Sequence, residues 1–162
     1  MLGKVFAATM LSASPTLAEP PPAGFQFYCL TNDCRPSGAS FVSYTAQLLS
    51  DLRRVTVSVN RSIRYRPDAA EKWSVNVSSG DCEDFALTKR YRLTQMGYPS
   101  SALRLAVGHT KDGTYHAVLV VRTSSGELVL DNLTDSVLPI DQSMVRLRKM
   151  ASADPMVWVS RR

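Results

Sequence analysis

A cysteine placed to open a helix constrains this chain more than any other feature. The stretch Ser78-Ser79-Gly80-Asp81-Cys82-Glu83-Asp84-Phe85-Ala86-Leu87 sets Cys82 among three carboxylates, just after an Asp suited to start a helix. A thiol in that first turn meets unsatisfied backbone N–H groups and the positive end of the macrodipole, which favour its anion. The same residues also admit a plainer arrangement, in which a small cysteine is buried and the acids merely cap the turn. What separates the two is whether the rest of the chain supplies a base and an acid to orient it.

The helix is expected from Asp81 to about Met96, stopped by Gly97 with Pro99 just beyond. Phe85, Ala86, Leu93 and Met96 share a face with Cys82, while Leu87 and Tyr91 lie opposite, so burial on more than one side is expected. Lys89 falls within the apolar stripe, where its ammonium is expected to snorkel to water. Upstream, Phe41, Tyr44, Leu48, Leu52, Val55, Val59 and Ile63 recur at three- and four-residue steps, which predicts a helix over residues 40–63. The β-branched run Val55-Thr56-Val57-Ser58-Val59 also fits a strand, but the unbroken helical phase favours the helix. Pro67 ends it, and residues 68–80 are expected to form a long loop holding Trp73.

Strands follow. Leu103-Arg104-Leu105-Ala106-Val107 alternates, as a half-exposed strand does. Tyr115 to Val121 is almost wholly apolar, as in a strand covered on both faces. Thr123-Ser124-Ser125-Gly126 makes a turn, Glu127 to Asp131 returns, and Met156 to Ser160 closes the set. With that turn, Val118 lies opposite Asp131, and His116 becomes the diagonal neighbour of Asp131 on the same sheet face, roughly 7 Å away between Cα atoms. A slip of one residue would put the two on opposite faces. Cys82, His116 and Asp131 then form a nucleophile, base and orienter set. A histidine at the head of an apolar strand can equally be structural. His109 is a second candidate base, but it adjoins Thr110-Lys111-Asp112-Gly113, which reads as an exposed hairpin turn.

Length and composition bound the rest. At 162 residues the chain forms one domain with a substantial core. Its net charge of +5 is spread over isolated Arg and Lys residues with no basic run, which excludes a nucleic-acid partner. No stretch reaches the ~18 apolar residues that span a bilayer. Lys4, the apolar run from Val5 to Leu11 and the small-residue site Thr16-Leu17-Ala18 read as a signal peptide over residues 1–18. Cleavage there would leave Glu19-Pro20-Pro21-Pro22 at the start of an extended segment over residues 19–39 and place the protein in the periplasm or outside the cell. Cys29 and Cys34 can close the loop between them as a disulfide in such a compartment. A metal pair at those two positions lacks a second pair or a nearby histidine. Cys82 is then the odd cysteine, a free reactive thiol.

The segments Gly80-Asp81-Cys82-Glu83-Asp84-Phe85-Ala86-Leu87, Tyr115-His116-Ala117-Val118-Leu119 and Leu128-Val129-Leu130-Asp131-Asn132 together resemble the bacterial transglutaminase-like cysteine proteinases. The likeness also takes in Val59-Asn60-Arg61-Ser62-Ile63-Arg64-Tyr65, Trp73 and the Cys29/Cys34 segment. It implies an α+β fold with a papain/transglutaminase-like core over residues 40–162, the cysteine-bearing helix packed on an antiparallel sheet. Carried over, Cys82 is the nucleophile, His116 the general base and Asp131 its orienting partner, in a peptidase acting on a protein substrate such as a cell-surface protein. An adhesin-cleaving periplasmic member of the family binds calcium through acidic residues beside its nucleophile; the matching positions here are Asp81, Glu83 and Asp84. Three carboxylates so close to a thiol oppose its ionisation, each at ~7 Å by about 2 kcal/mol at an effective dielectric near 20. A hard cation would offset this, and oxygen ligands suit calcium better than zinc. Transglutaminase or deamidase chemistry, and an inactive calcium- or peptide-binding module, stay open at this level.

Overall fold

The computed structural model describes residues 17–67 and 70–161. In chain order the elements are β1 (Ala18–Glu19), α1 (Ala23–Cys29), α2 (Ala46–Ser62), β2 (Arg64–Tyr65), β3 (Ser79–Gly80), α3 (Cys82–Gln95), β4 (Leu103–His109), β5 (Tyr115–Thr123), β6 (Gly126–Leu130), β7 (Leu138–Pro139), β8 (Arg146–Ala151) and β9 (Trp158–Ser160). Seven strands pair antiparallel in the order β1-β9-β8-β4-β5-β6-β7, while β2 and β3 form a separate parallel pair. Residues 1–16 of the expected signal peptide over 1–18, and Asp68 of the expected loop, lie outside the described residues.

The cysteine helix is the centre of the molecule. Asp81 caps α3, and the helix ends before Gly97, whose φ of +92° is the left-handed turn that glycine adopts without strain. Every residue from Cys82 to Arg90 is buried, so the expected two-sided burial is met and exceeded. Lys89 corrects the expectation of snorkelling. It is fully enclosed, because α3 lies between α2 and the sheet and leaves no route to water.

The first long helix starts later than its periodicity predicts, at Ala46 rather than Ser40. Thr45 caps it by accepting the backbone N–H of Leu48 at 3.1 Å. Phe41 and Tyr44 keep the helical phase but stand exposed, since this segment bonds to the β5–β6 hairpin instead. Val42 N donates to Arg122 O at 3.0 Å, and Ser124 N donates to Val42 O at 2.9 Å. The stretch Val55–Val59 is helical, and Leu48, Leu52, Val55 and Val59 form the buried face of α2.

Residues 19–39 are not simply extended. Pro22, with its φ fixed at a value suited to a helix entry, precedes the short helix α1. That helix buries Phe25 against Trp73, with ring centroids 5.5 Å apart, and so anchors the long loop as the sequence implies. Cys29 and Cys34 are disulfide-bonded with Cα atoms 5.5 Å apart, as expected.

One face of the sheet, including Leu105, Ala117, Leu119, Val121 and Leu130, packs against the helices. Ala106, Val118, Val120, Val129 and Met150 fill the other face, which Val145 and Ile140 cover. Strand β4 is therefore buried on both sides rather than half exposed; even Arg104 is 8 % exposed, its Nε donating to Ser101 O at 3.4 Å. Leu119 pairs with Leu130, Val120 with Val129 and Thr123 with Gly126, a register whose continuation sets Val118 opposite Asp131. That is the predicted register. No helix among the described residues is long and apolar enough to cross a membrane.

Candidate active site

The start of α3 is held by a carboxylate behind it. Asp84 Oδ1 accepts the backbone N–H of Ser74 at 2.7 Å, and Asp84 Oδ2 accepts that of Asp81 at 3.3 Å. The second bond is half of a capping box, and the first ties the Trp73 loop to the same turn. Gly80 makes room for it: a Cβ there would stand 2.0 Å from Asp84 Oδ2. Asp84 is thus turned inward onto backbone donors. Asp81 and Glu83, in contrast, gather their carboxylate oxygens with Cys82 Sγ within 4.8 Å of one another.

Cys82 Sγ donates to Glu83 Oε2 at 3.0 Å. Burial pushes the thiol well above the usual range, and the bond to Glu83 and the charges of Glu83 and Asp81 push the same way. The backbone N–H of Ala117, the residue after His116, opposes them by hydrogen-bonding the sulfur. Glu83 is itself raised to about 7, first by burial and then by its contact with Asp81. Two carboxylates and a thiol therefore share a buried turn that is short of positive charge.

The neighbouring strands supply the other two predicted residues. His116 Nε2 and Asp131 Oδ1 are 2.7 Å apart, and both side chains are buried. Asp131 Oδ1 also accepts Leu133 N at 3.1 Å. With Nε2 turned to the carboxylate, Nδ1 is the ring atom left for another partner. Burial works against charge on Asp131, but the bonds from His116 and Leu133 and the charges of His116 and Lys89 prevail and hold the carboxyl below its usual range. From α2, Asn60 Nδ2 donates to Asp131 O at 3.2 Å, Thr134 O at 3.1 Å and Asp135 Oδ1 at 3.0 Å, pinning the turn that carries Asp131. His109 stands exposed at the end of β4, its ring against Tyr115, as the hairpin reading has it.

A cleft of about 620 Å³ opens on His116, lined also by Tyr65, Tyr115, Asn132, Leu133 and Met144. Tyr65 and Leu133 are 59 % and 51 % exposed, an apolar rim beside a polar centre. Burial raises both Tyr65 and Tyr115, with the Cys82–Glu83 charges adding to it, so the two phenols flank the acidic turn. Two other clefts, one between α1 and the Trp73 loop and one along β8, contain none of Cys82, His116 and Asp131. Sequence reasoning missed the cleft residues, Asn60 and the Ala117 N–H. Tyr65, Asn60, Tyr115 and Asn132 lie in the segments that carry the family likeness, but nothing in the sequence marked them as site residues. Trp73 is buried against Phe25 and Gly24.

Comparisons with known proteins bear on this geometry. The model of the bacterial transglutaminase-like cysteine proteinase family matches residues 16–162. Among solved structures, calcium-bound LapG of Legionella pneumophila is 24 % identical with a TM-score of 0.61, over 73 % of this chain and 71 % of that one. A second LapG structure is 26 % identical with a TM-score of 0.60, over 68 % and 67 %. EGTA-treated LapG gives 24 % and 0.62, over 75 % and 70 %. No curated protein matches. A family match over nearly the whole chain, on an α+β fold shared with LapG, settles the membership: this chain belongs to the bacterial transglutaminase-like cysteine proteinases and is a cysteine peptidase of transglutaminase-like type.

Proposed function

We propose that the protein is an exported thiol peptidase in which Cys82 attacks a peptide carbonyl, with His116 as general base and Asp131 as its orienting partner. The observation that carries the reading is the buried 2.7 Å pair between His116 Nε2 and Asp131 Oδ1, with the Cys82 sulfur hydrogen-bonded by the N–H of Ala117, the next residue of β5 after His116. His116 Nδ1 takes the thiol proton and returns it to the leaving amine; Asp131 stabilises the imidazolium formed between the two events. Attack gives a tetrahedral oxyanion, which the Cys82 backbone N–H at the helix start would stabilise. Collapse gives a thioester on Cys82, and water activated by the same imidazole releases the acid. The cleft rim of Tyr65, Leu133 and Met144 would bind an extended protein segment through its apolar side chains.

The acidic turn fits a calcium ion on its own chemistry. Asp81 and Glu83 are hard oxygen donors close together, and the elevated Glu83 marks a cluster lacking countercharge. Asp81 and Glu83 would supply side-chain ligands, while Asp84 orders the turn beside them. Bound there, calcium would offset the two carboxylates and so favour the thiolate. The calcium-bound title of one LapG structure is consistent with this assignment. The apolar run before Ala18 supports export with cleavage there, which would leave Glu19 paired with Trp158 at the sheet edge.

The test uses an unfolded protein mixture with a labelled primary amine, in calcium and in chelator. The peptidase reading expects new peptide termini that vanish in Cys82→Ala and in chelator. Amine incorporation without new termini would instead mean acyl transfer, and neither product would mean a binding module.

A further inference from the structure

The cleft on His116 runs into a second one that is basic. Strand β4 lies between β5 and β8, and the register sets His109 level with Tyr115 on one side and with Arg146 on the other. Residues level on neighbouring strands share a face, so one row leads from Tyr115, in the cleft with His116, across His109 to Arg146. Two strand spacings separate Tyr115 from Arg146 by about 10 Å between Cα atoms. A cleft of about 600 Å³ is lined by His109, Lys111, Arg146 and Arg148 and shares Thr110, Lys111 and Met144 with the cleft on His116. The two therefore meet at Met144 and the turn between β4 and β5.

The charge of this second cleft is one-sided. Lys111, Arg146 and Arg148 are exposed, and no Asp or Glu among the described residues lines it. None of the three makes an ion pair among the described residues, whereas Lys149 pairs with Glu19 and Arg161 with Glu127 at 2.8 Å. Asp112, beside Lys111, has its carboxylate turned back onto Thr110 Oγ1 and the Thr114 N–H. Asp141 lines the separate cleft along β8. Three cations gathered in a groove without a counter-anion attract one.

We infer that this groove holds acidic residues of the protein substrate itself, on one side of the scissile bond, with Arg146 and Arg148 as specificity-determining residues. The inference rests on the peptidase reading above. An extended chain that leaves the His116 cleft past Met144 enters the groove. At roughly 3.3–3.6 Å per residue, the distance from Tyr115 to Arg146 spans about three residues. An Asp or Glu side chain there meets guanidinium groups suited to a carboxylate. A lipid surface presses on an open basic face, whereas these cations line a groove continuous with the catalytic cleft, which favours a polypeptide strand.

The experiment maps the new peptide termini that the whole protein makes in an unfolded protein mixture, in calcium and at low ionic strength. Asp and Glu should be enriched about twofold or more over the mixture's background, roughly three to six residues from the cleaved bond and on one side only. Arg146→Gln/Arg148→Gln should bring that enrichment to background, Arg146→Lys/Arg148→Lys should keep it, and added salt should shrink it. Should the Gln variant fail to fold, Lys111→Gln carries the same expectation. Termini without the acidic preference, or a preference that the Gln variant keeps, overturn the inference and leave the peptidase reading standing. If the parent makes no termini, the peptidase reading fails by itself, and binding of a fluorescent oligoglutamate peptide to Cys82→Ala decides. Affinity that falls about threefold or more when both arginines are Gln supports the groove as a site for acidic peptide. Binding that is absent or ignores the arginines overturns it, as does arginine-dependent binding of phosphatidylglycerol vesicles or inorganic phosphate but not of peptide.

Discussion

At the scale of single residues, the proposed chemistry turns on the bond from the Cys82 thiol to Glu83. A carboxylate 3.0 Å from the sulfur keeps the proton on it, whereas the helix terminus contributes only about 0.3–2 kcal/mol towards the thiolate. Glu83→Gln should therefore lower the thiol pKa in calcium-free protein, speed alkylation of Cys82 and shrink the response to calcium, all measurable with iodoacetamide. An alkylation rate unchanged by the substitution would remove Glu83 from control of the thiol. Glu83 also predicts a pH dependence of folding. Its pKa is raised in the fold, to about 7, so the folded chain holds a proton that the unfolded chain releases. Glu83's own contribution, read as the difference between parent and Glu83→Gln, should be greatest below the ordinary glutamate range and fall by roughly 3 kcal/mol as pH rises from about 4.5 to 7. Chemical unfolding of both proteins, calcium-free, across that window checks sign and size.

At the scale of elements, the start of α3 depends on Asp84 and on the N-cap Asp81 that it bonds. Losing its bonds to Ser74 and Asp81 should cost about 0.5–2 kcal/mol in Asp84→Asn, with or without calcium. Equal calcium responses in Asp84→Asn and the parent would confine Asp84 to the cap; a lost response would make it a ligand. The elements that were legible in the sequence share a local signal. The cysteine helix has an acidic cap and a terminal glycine, and the turn after Thr123 fixed the register that brings Asp131 to His116. The elements that were not legible are those set by distant partners. Phe41 and Tyr44 continue the phase of α2, yet the hairpin draws their backbone away before Thr45 starts the helix. Helix α1 is too short to show a period, and exists because Phe25 finds Trp73. Strand β8 opens Arg146-Leu147-Arg148-Lys149, too basic to announce a buried sheet. Lys89 was misread for the same reason, since the route of an ammonium to water depends on what encloses its helix.

At the scale of the molecule, the fold joins two supports to the turn that carries Cys82. The sheet carries His116 and Asp131, and the disulfide-closed entry segment braces the Trp73 loop behind Cys82. Replacing Cys29 and Cys34 by serine should cost about 2 kcal/mol for so short a loop, measured by chemical unfolding, and leave Cys82 alkylation unchanged. Phe25→Ala, at 0 % exposure, should cost about 3–5 kcal/mol and slow that alkylation too, because the loop it anchors is bonded to Asp84. The central claim is that Cys82, His116 and Asp131 act as one unit. It is tested most directly by the iodoacetamide rate of Cys82 across pH in calcium, for the parent, His116→Ala and Asp131→Asn. A thiolate made by this unit should react at neutral pH in the parent and lose reactivity by about 10²-fold or more in His116→Ala, with a smaller loss in Asp131→Asn. Identical profiles in all three proteins, rising only above the ordinary thiol range, would contradict it.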